Sequence, residues 1–295
     1  MLYDIIIPRK RINKKRIILV IIAIISLVGL SIITAISLVN KNNWKKYAIQ
    51  VENKYNAIQE YKKVEKLKEQ ERDKIIKMEN AEYISKIKNI YNSNEKRVFL
   101  TFDDGPSQSV TPLILDLLKK ENIKATFFML GNKVEANPDI VKRIYNEGHT
   151  LGNHGYSHKY KEIYLCSQTI LDEYNKTEQC IKDALENQDF STRLFRFPGG
   201  SSGGYYDSIK QEGRKLLEEN GVGYVDWNAL SNDAAGANTK EALLENLKNT
   251  IGEKQSVVIL MHDAGDKILT YEILPDLIVF LREKGYNFRA ISDIL

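Results

Sequence analysis

The chain has 295 residues, enough for one sizeable domain with additional segments. Its net charge of +4 is uneven: residues 1–40 and 41–96 each carry +5, so residues 97–295 carry −6. Because nucleic-acid binding needs a basic face on the folded domain, this distribution argues against a nucleic-acid partner. The only two cysteines, Cys166 and Cys180, exclude a thiolate zinc site. On one helix they would lie roughly 21 Å apart, too far for a disulfide.

The N-terminal segment predicts a single-pass membrane anchor. Residues 17–39 form a run of 23 positions without a charge. As a helix this run is about 34 Å long, more than a bilayer core of about 30 Å. The basic residues before it place residues 1–16 in the cytoplasm and the rest outside the cell, by the positive-inside rule. The alternatives are a cleaved signal peptide, whose apolar region is shorter, and a buried core helix, which would show a polar face.

Residues 40–96 predict a helical stalk that holds the following domain away from the membrane. Residues 41–92 contain neither Gly nor Pro. A 4-3-4-3 apolar spacing, typical of a helix with a narrow stripe, connects Trp44, Ala48, Val51, Tyr55 and Ile58. Self-association through this stalk is one interpretation, and a partly disordered charged spacer is another.

Residues 97–295 alternate short apolar runs with helical patterns. The predicted strands are 97–102, 124–130, 150–152, 194–197, 223–227, 256–261 and 287–291. Helices are predicted to begin near Gln108, at Pro138 with Asn137 as the cap, and at Ser167, Ser208, Thr239 and Thr270. This alternation predicts a parallel α/β fold, although periodicity alone does not distinguish an open sheet from a barrel.

Polar residues follow five of the predicted strands. They are Asp103 and Asp104 after VFLTF, His154 after HTLGN, Arg196 within LFRFP, Asp226 in GYVDWN with Asp233 beyond it, and His262 after VVILM. In an α/β barrel the C-terminal ends of the strands converge on one mouth. The sequence therefore predicts one site built from several strands.

The residue types in this group suit a metal site. His154 and His158 are four positions apart and share a face if they lie on a helical turn. Two imidazoles and one carboxylate would leave a tetrahedral position open, the arrangement of a catalytic zinc site. A second, adjacent carboxylate could take a proton. The ordinary alternatives are a polar turn at 103–106, surface histidines, and a structural ion pair for Arg196.

Five segments together resemble the motifs of the NodB-homology polysaccharide deacetylases, carbohydrate esterase family 4. They are TFDDGP (101–106), HGYSH (154–158), RFPGG (196–200), DWN-x4-D (226–233) and LMH (260–262), in the family's order. The resemblance covers about residues 97–295. It implies a distorted (β/α) barrel of about seven strands and one divalent metal ion, usually Zn²⁺, with Co²⁺ or others as alternatives.

The resemblance also implies the reacting groups. Asp104, His154 and His158 would bind the metal. Asp103 would be the general base that activates the attacking water, and His262 would protonate the leaving amine. The products are acetate and a free amino sugar.

Further residues have supporting roles by the same resemblance. Arg196 and Asp233 would tune the base and the acid. The backbone N–H of Gly199 would stabilise the oxyanion. Leu260 would line the pocket for the acetyl methyl group, and Trp227 would contact the substrate.

The chain departs from the family pattern at four positions. Gly155 stands where Ser or Thr usually follows the first histidine, and Gly199 stands where an aromatic residue is common. Leu230 and Ala234 replace an Asp and a Trp of the fourth motif. These changes predict a different groove wall. They leave Asp226 and Asp233 as candidates for tuning the acid, with Asp233 favoured.

The sequence therefore predicts a cell-surface deacetylase acting on N-acetylglucosamine of peptidoglycan. The peptidoglycan assignment follows from the predicted anchor and stalk, which would keep residues 97–295 near the wall. The alternatives are an O-acetyl esterase of the xylan type, an exopolysaccharide deacetylase, and, from another class, an inactive glycan-binding membrane sensor.

Overall fold

The computed structural model describes residues 14–35 and 41–295, so residues 36–39 of the predicted anchor lie outside it. Helix α1 spans Lys14–Ala35. Within the described ranges, no helix has the combined length and apolar character that crossing a bilayer requires. The transmembrane helix predicted over 17–39 is therefore not supported.

Helix α2 spans Lys41–Lys88 and is followed by a 3-10 turn, Asn89–Tyr91. The chain divides into two compact units, Met1–Arg72 and Asp73–Leu295. Within the second unit, the end of α2 and the 3-10 turn pack on the α/β part: Ile87 and Ile90 are buried, and the Tyr83 hydroxyl donates to the Arg193 carbonyl at 3.0 Å. Residues before 97 thus already pack on the α/β part. The predicted domain boundary at residue 97 stays a prediction.

Seven parallel strands form a half-barrel, consistent with the predicted distorted barrel. Their order across the sheet is β5-β4-β3-β2-β1-β7-β6, and a short β8 pairs with the start of β1. The strands are β1 (Arg97–Asp103), β2 (Thr126–Met129), β3 (Thr150–Asn153), β4 (Leu194–Phe195), β5 (Gly223–Tyr224), β6 (Ala229–Leu230), β7 (Ser256–His262) and β8 (Asn287–Phe288).

Helices connect the strands. They are α3 (Thr111–Glu121), α4 (Gly131–Ala136), α5 (Pro138–Asn146), α6 (Tyr160–Ile163), α7 (Ser167–Leu185), α8 (Asp207–Glu219), α9 (Lys240–Ile251) and α10 (Ile268–Glu283), with a final 3-10 turn at Ile291–Ile294. The sequence prediction missed β6, α4 and α6, which are too short to show a period.

Two predicted helix starts differ in how they are capped. Thr239 caps α9, since its hydroxyl accepts from the Ala242 N–H at 3.2 Å. Asn137 does not cap α5 with its side chain, contrary to the prediction. Its amide instead donates to the carbonyls of Pro106 at 3.1 Å and Lys133 at 3.0 Å, which ties the start of α5 to the turn after β1.

The alternation of side chains along β1 and β7 separates the core from the site. On β1, Val98, Leu100 and Phe102 belong to the main hydrophobic core with the helices. The intervening residues face the other side of the sheet because strand side chains alternate. There Phe99 joins an inner apolar cluster, and Asp103 stands at the strand's end. The two cysteines are free, as predicted.

Candidate active site

The predicted polar residues meet in one cavity of about 370 Å³ at the C-terminal ends of the strands. Its lining includes Asp103, Asp104, His154, His158, Gly199, Trp227, Asp233, Leu260 and His262. Arg196 lies behind this lining, fully buried, and reaches it through Asp103. The structure therefore brings these predicted residues together, whereas Asp226, the other candidate for tuning the acid, does not line the cavity.

Asp104, His154 and His158 form a group that suits a metal ion. Their ligand atoms lie within 4.8 Å of one another. The Asp104 Oδ1 lies 3.6 Å from the His154 Nε2 and 3.4 Å from the His158 Nε2. This oxygen is buried and has no hydrogen-bond partner. A buried polar atom without a partner needs an explanation, and a divalent cation between these three ligands supplies one.

His154 is prepared for metal binding by its neighbours. Its Nδ1 lies 2.7 Å from the Arg196 carbonyl oxygen, so a proton on Nδ1 makes this bond and leaves the Nε2 lone pair on the site side. Burial lowers the pKa of His154 to about 3, although the charge of Asp104 acts to raise it. The imidazole is therefore neutral at physiological pH, the form in which histidine binds metals.

The two histidines lie on a loop after β3, not on the helical turn that the sequence suggested. His158 has a positive φ of 57°. Glu173, on α7, holds the loop by accepting from the N–H groups of Tyr156 at 2.7 Å and Ser157 at 2.9 Å. Gly155, with φ of 79°, occupies a left-handed conformation that glycine adopts without strain. Glycine therefore suits the loop conformation at this position.

Asp103 is held by a buried arginine. Its Oδ1 accepts from Arg196 Nη1 at 2.9 Å, and the same nitrogen lies 2.5 Å from the Thr101 hydroxyl. Arg196 also donates to the carbonyls of Val225 and Asp226, both at 3.1 Å. Burial raises the pKa of Asp103, and the charge of Arg196 opposes that rise. With Oδ1 engaged, Oδ2 is the oxygen available to take a proton.

His262 is paired with Asp233. Its Nδ1 lies 2.8 Å from Asp233 Oδ1, and its backbone N–H donates to Oδ2 at 2.9 Å. Burial alone would lower the pKa of His262, but this hydrogen bond and the charges of Asp233, Asp103 and Asp104 raise it to about 9. Asp226 is directed elsewhere, since it accepts from Ser201 N–H at 2.9 Å and from its hydroxyl at 2.6 Å. Of the two candidates, only Asp233 contacts the histidine.

Gly199 shapes the cavity wall together with a tyrosine. Its φ of 71° is left-handed, and a Cβ at this position would lie 2.5 Å from the Tyr160 hydroxyl. Tyr160, from α6, thus fills the space next to the position where the family commonly carries an aromatic side chain. The Gly199 N–H has no acceptor among the described residues, so it is available to a ligand.

Sequence reasoning missed two further residues of this region. Tyr160 lines the cavity, and its ring lies tilted beside His158, with ring centres 5.6 Å apart. Asp263 is fully buried behind the site, accepts from the Thr111 hydroxyl at 2.5 Å, and packs directly on Gly105. Burial raises the pKa of Asp263 to about 7. The signals were an aromatic two positions after His158 and a carboxylate directly after His262.

Comparisons with known proteins agree with this geometry. A family model described as polysaccharide deacetylase matches residues 91–222. A peptidoglycan-N-acetylglucosamine deacetylase of Bacillus cereus strain ATCC 14579 is 32% identical over 208 residues, 69% of this chain and 90% of that protein. The peptidoglycan-N-acetylglucosamine deacetylase PgdA of Listeria monocytogenes is 34% identical over 203 residues, 68% of this chain but only 39% of that longer protein.

Solved structures give the same family. A Streptococcus mutans CE4 esterase superposes with a TM-score of 0.64 at 34% identity, covering 70% of this chain and 90% of that one. A CE4 family pseudoenzyme from Bacillus anthracis also matches, with a TM-score of 0.58 at 29% identity, covering 68% of this chain and 66% of that one. The chain belongs to the polysaccharide deacetylase family, carbohydrate esterase family 4, which confirms the predicted resemblance.

Proposed function

We propose that residues 97–295 catalyse the metal-dependent hydrolysis of acetyl groups from N-acetylglucosamine residues of peptidoglycan. The observation that carries the proposal is the placement of two different acid–base groups beside one candidate metal site. Asp103 lies 3.7 Å from the Nε2 of His154, and the Nε2 of His262 lies 4.0 Å from Asp104.

A divalent metal ion, for which we favour Zn²⁺, would be held by Asp104, His154 and His158 and would supply Lewis-acid activation of the acetyl carbonyl and the attacking water. The donor set of two imidazoles and one carboxylate fits zinc, and the unpartnered buried Asp104 oxygen fits a cation.

The chain's own residues then have separate roles in the reaction. Asp103 takes a proton from the water that attacks the acetyl carbon, while Arg196 holds that carboxylate in place. The free N–H of Gly199 donates to the carbonyl oxygen as it gains charge. His262 gives a proton to the amide nitrogen, because an amine leaves an amide poorly until it is protonated. The C–N bond breaks, and acetate and the free amino sugar are released.

The choice of substrate rests on the relatives from Bacillus cereus and Listeria monocytogenes, which are named for peptidoglycan N-acetylglucosamine. An extracellular position of the domain, which would bring it to the wall, is part of this proposal and not a support for it. Leu260 and Trp227 line the cavity beside the reacting groups and would contact the acetyl group and the sugar.

Acetate release by the purified protein loaded with Zn²⁺ tests the proposal. Wall fragments, N-acetylglucosamine oligomers and acetylated xylan are compared at equal acetyl concentration. We expect release from the first two. Release from xylan alone would establish the O-acetyl esterase alternative, and no release from any substrate by the metal-loaded protein would favour the inactive sensor.

A further inference from the structure

The end of α2 lies against the N-terminal ends of β4 and β5, on the side of the sheet's edge away from the active-site cavity. The Tyr83 hydroxyl and the Gly223 N–H both donate to the Arg193 carbonyl oxygen, at 3.0 Å and 2.9 Å. The Arg193 side chain donates to Asn80 Oδ1 at 2.7 Å and to the Gly221 carbonyl at 3.2 Å. Its guanidinium also lies over the Tyr83 ring, 4.2 Å from the ring centre. Arg193 is thus held both by α2 and by the chain at the start of β5.

Glycines allow α2 to approach β5 this closely. A Cβ at Gly221 would lie 2.6 Å from the Asn80 side chain, and one at Gly223 would overlap the Ile87 side chain. Arg193 has a φ of 50°, a conformation that a residue other than glycine keeps only where its surroundings fix it. The sequence at the start of β4 and β5 is therefore fitted to the end of α2.

Arg193 begins the segment that carries the buried arginine of the site. β4 has only two residues, and Arg196 follows it directly, three positions after Arg193. Arg196 donates to Asp103 Oδ1 at 2.9 Å, and its carbonyl oxygen lies 2.7 Å from His154 Nδ1. A displacement of Arg193 would therefore reach the proposed base and a proposed metal ligand through one short strand.

An apolar cluster joins the same two regions through side chains. Ile87 and Ile90 are buried together with Phe128 and Val225. The Arg196 guanidinium lies over the Phe128 ring, 4.0 Å from the ring centre, and its Nε donates to the Val225 carbonyl at 3.1 Å. Two of the groups that hold the guanidinium thus pack in one cluster with the end of α2.

We propose that residues 80–90, the end of α2 and the start of the 3-10 turn, position Arg196 for the reaction, an inference that rests on the proposed function and extends it. Tyr83 is the positioning residue: it touches no reacting group and acts through Arg193. Residues 80–90 precede the part of the chain that matches the family model, and the sequence predicted them as stalk. Placing them in the catalytic unit follows from their contacts, because small displacements of reacting groups lower the rate strongly.

The test compares the wild type, Tyr83→Phe, Tyr83→Ala and the control Tyr61→Ala in the full Zn²⁺-loaded chain. Tyr61 is an exposed tyrosine of α2 whose hydroxyl contacts Glu65 of the same helix. The rate of acetate release from N-acetylglucosamine tetramer gives kcat and KM, at a temperature well below every melting temperature. We expect Tyr83→Ala to lower kcat about 10-fold while KM changes less than about 2-fold, since substrate contacts stay in place. Tyr83→Phe keeps the ring and loses one hydrogen bond, so its kcat should fall about 3-fold.

Hydrogen exchange of the Arg196 Nε–H, measured by NMR, reports on the guanidinium without turnover. Its rate is compared with that of the slowest backbone amides of β1, which report global unfolding. We expect this relative rate to rise about 10-fold in Tyr83→Ala and to stay at the wild-type value in Tyr61→Ala.

In protein that releases acetate, the positioning role requires both effects. A wild-type kcat or a wild-type relative exchange rate in both Tyr83 variants would overturn it, even if the melting temperature fell, since the end of α2 would then only stabilise the fold. An equal fall of kcat in Tyr61→Ala would overturn it as well. If Tyr83→Ala does not fold, Tyr83→Phe decides by the same two measurements. Faster exchange in the Tyr83 variants, with no acetate release from any of the four proteins, would support the positioning of Arg196 and refute the proposed reaction.

Discussion

Asp103 and His262 are register partners at the C-terminal ends of the neighbouring parallel strands β1 and β7. Both end a strand whose alternate residues, Val98 to Phe102 and Val257 to Met261, fill the main core. Strand alternation then places the carboxylate and the imidazole on the same face of the sheet. The proposed base and the proposed acid thus owe their proximity to strand register, not to a flexible loop.

Replacing the proposed base should stop turnover without removing the metal. In Asp103→Asn the amide still accepts from Arg196 but no longer takes a proton, so we expect kcat to fall by about 10²- to 10⁴-fold. Acetate release and metal content by elemental analysis are measured together. Turnover close to that of the wild type, in protein with full metal content, would assign the base elsewhere.

Replacing the carboxylate ligand should instead remove the metal. Asp104 has φ of 73°, a left-handed conformation that Asn also tolerates, so Asp104→Asn should keep the backbone while losing the ligand's charge. We expect weaker Zn²⁺ binding, and activity that returns partly at high Zn²⁺. Asp139→Asn, on the exposed surface of α5, is the matched control. A variant that binds Zn²⁺ as tightly as the wild type would exclude Asp104 as a ligand.

Chelation provides an independent prediction. We expect a strong chelator to abolish acetate release and to lower the melting temperature, because removing an ion that binds only the folded state removes its stabilisation. Adding Zn²⁺ should restore both. Full activity after the bound metal has been shown to be absent would contradict metal dependence.

Asp233 should determine the alkaline side of the pH profile. A proton donor must be protonated, and Asp233 raises the pKa of His262. Asp233→Asn removes that charge, so His262 should lose its proton at lower pH, kcat should fall, and its alkaline limb should move to lower pH. Asp226→Asn makes the same chemical change at a residue that contacts Ser201 instead. We expect its alkaline limb to stay in place, and equal shifts in both variants would remove the special role of Asp233.

His149 should limit stability in mild acid. It is buried, its Nδ1 accepts from the Ala125 N–H at 3.1 Å, and burial lowers its pKa to about 4. The unfolded chain takes up this proton near pH 6.5 and the folded protein does not, so stability is lost as pH falls from about 6.5 towards 4. The largest expected loss of unfolding free energy is about 3 kcal/mol. His149→Gln keeps an acceptor and does not titrate, so its free energy of unfolding should fall less than that of the wild type between pH 7.5 and pH 4.5. Denaturant titration at the two pH values measures both losses.

The sequence grouped the candidate site residues because each lies in or near a predicted strand, and the family resemblance assigned their roles, which stay predictions. Asp104, His154 and His158 needed no structure to be grouped. Short elements such as β6 and α6 carry too few residues to show a period, so they were missed. The pairing of Tyr160 with Gly199 joins positions 39 residues apart through a loop conformation, which no local pattern encodes.

That pairing gives a last prediction. In Gly199→Ala the new Cβ would clash with the Tyr160 hydroxyl, and a non-glycine residue at φ of 71° costs about 1–2 kcal/mol. Tyr160→Phe removes the clashing oxygen but not the backbone strain. We therefore expect the double variant Tyr160→Phe/Gly199→Ala to lose less free energy of unfolding than the sum of the losses in the two single variants. Denaturant unfolding of the wild type, both single variants and the double variant measures this coupling, and strict additivity would show that the two residues do not exclude each other.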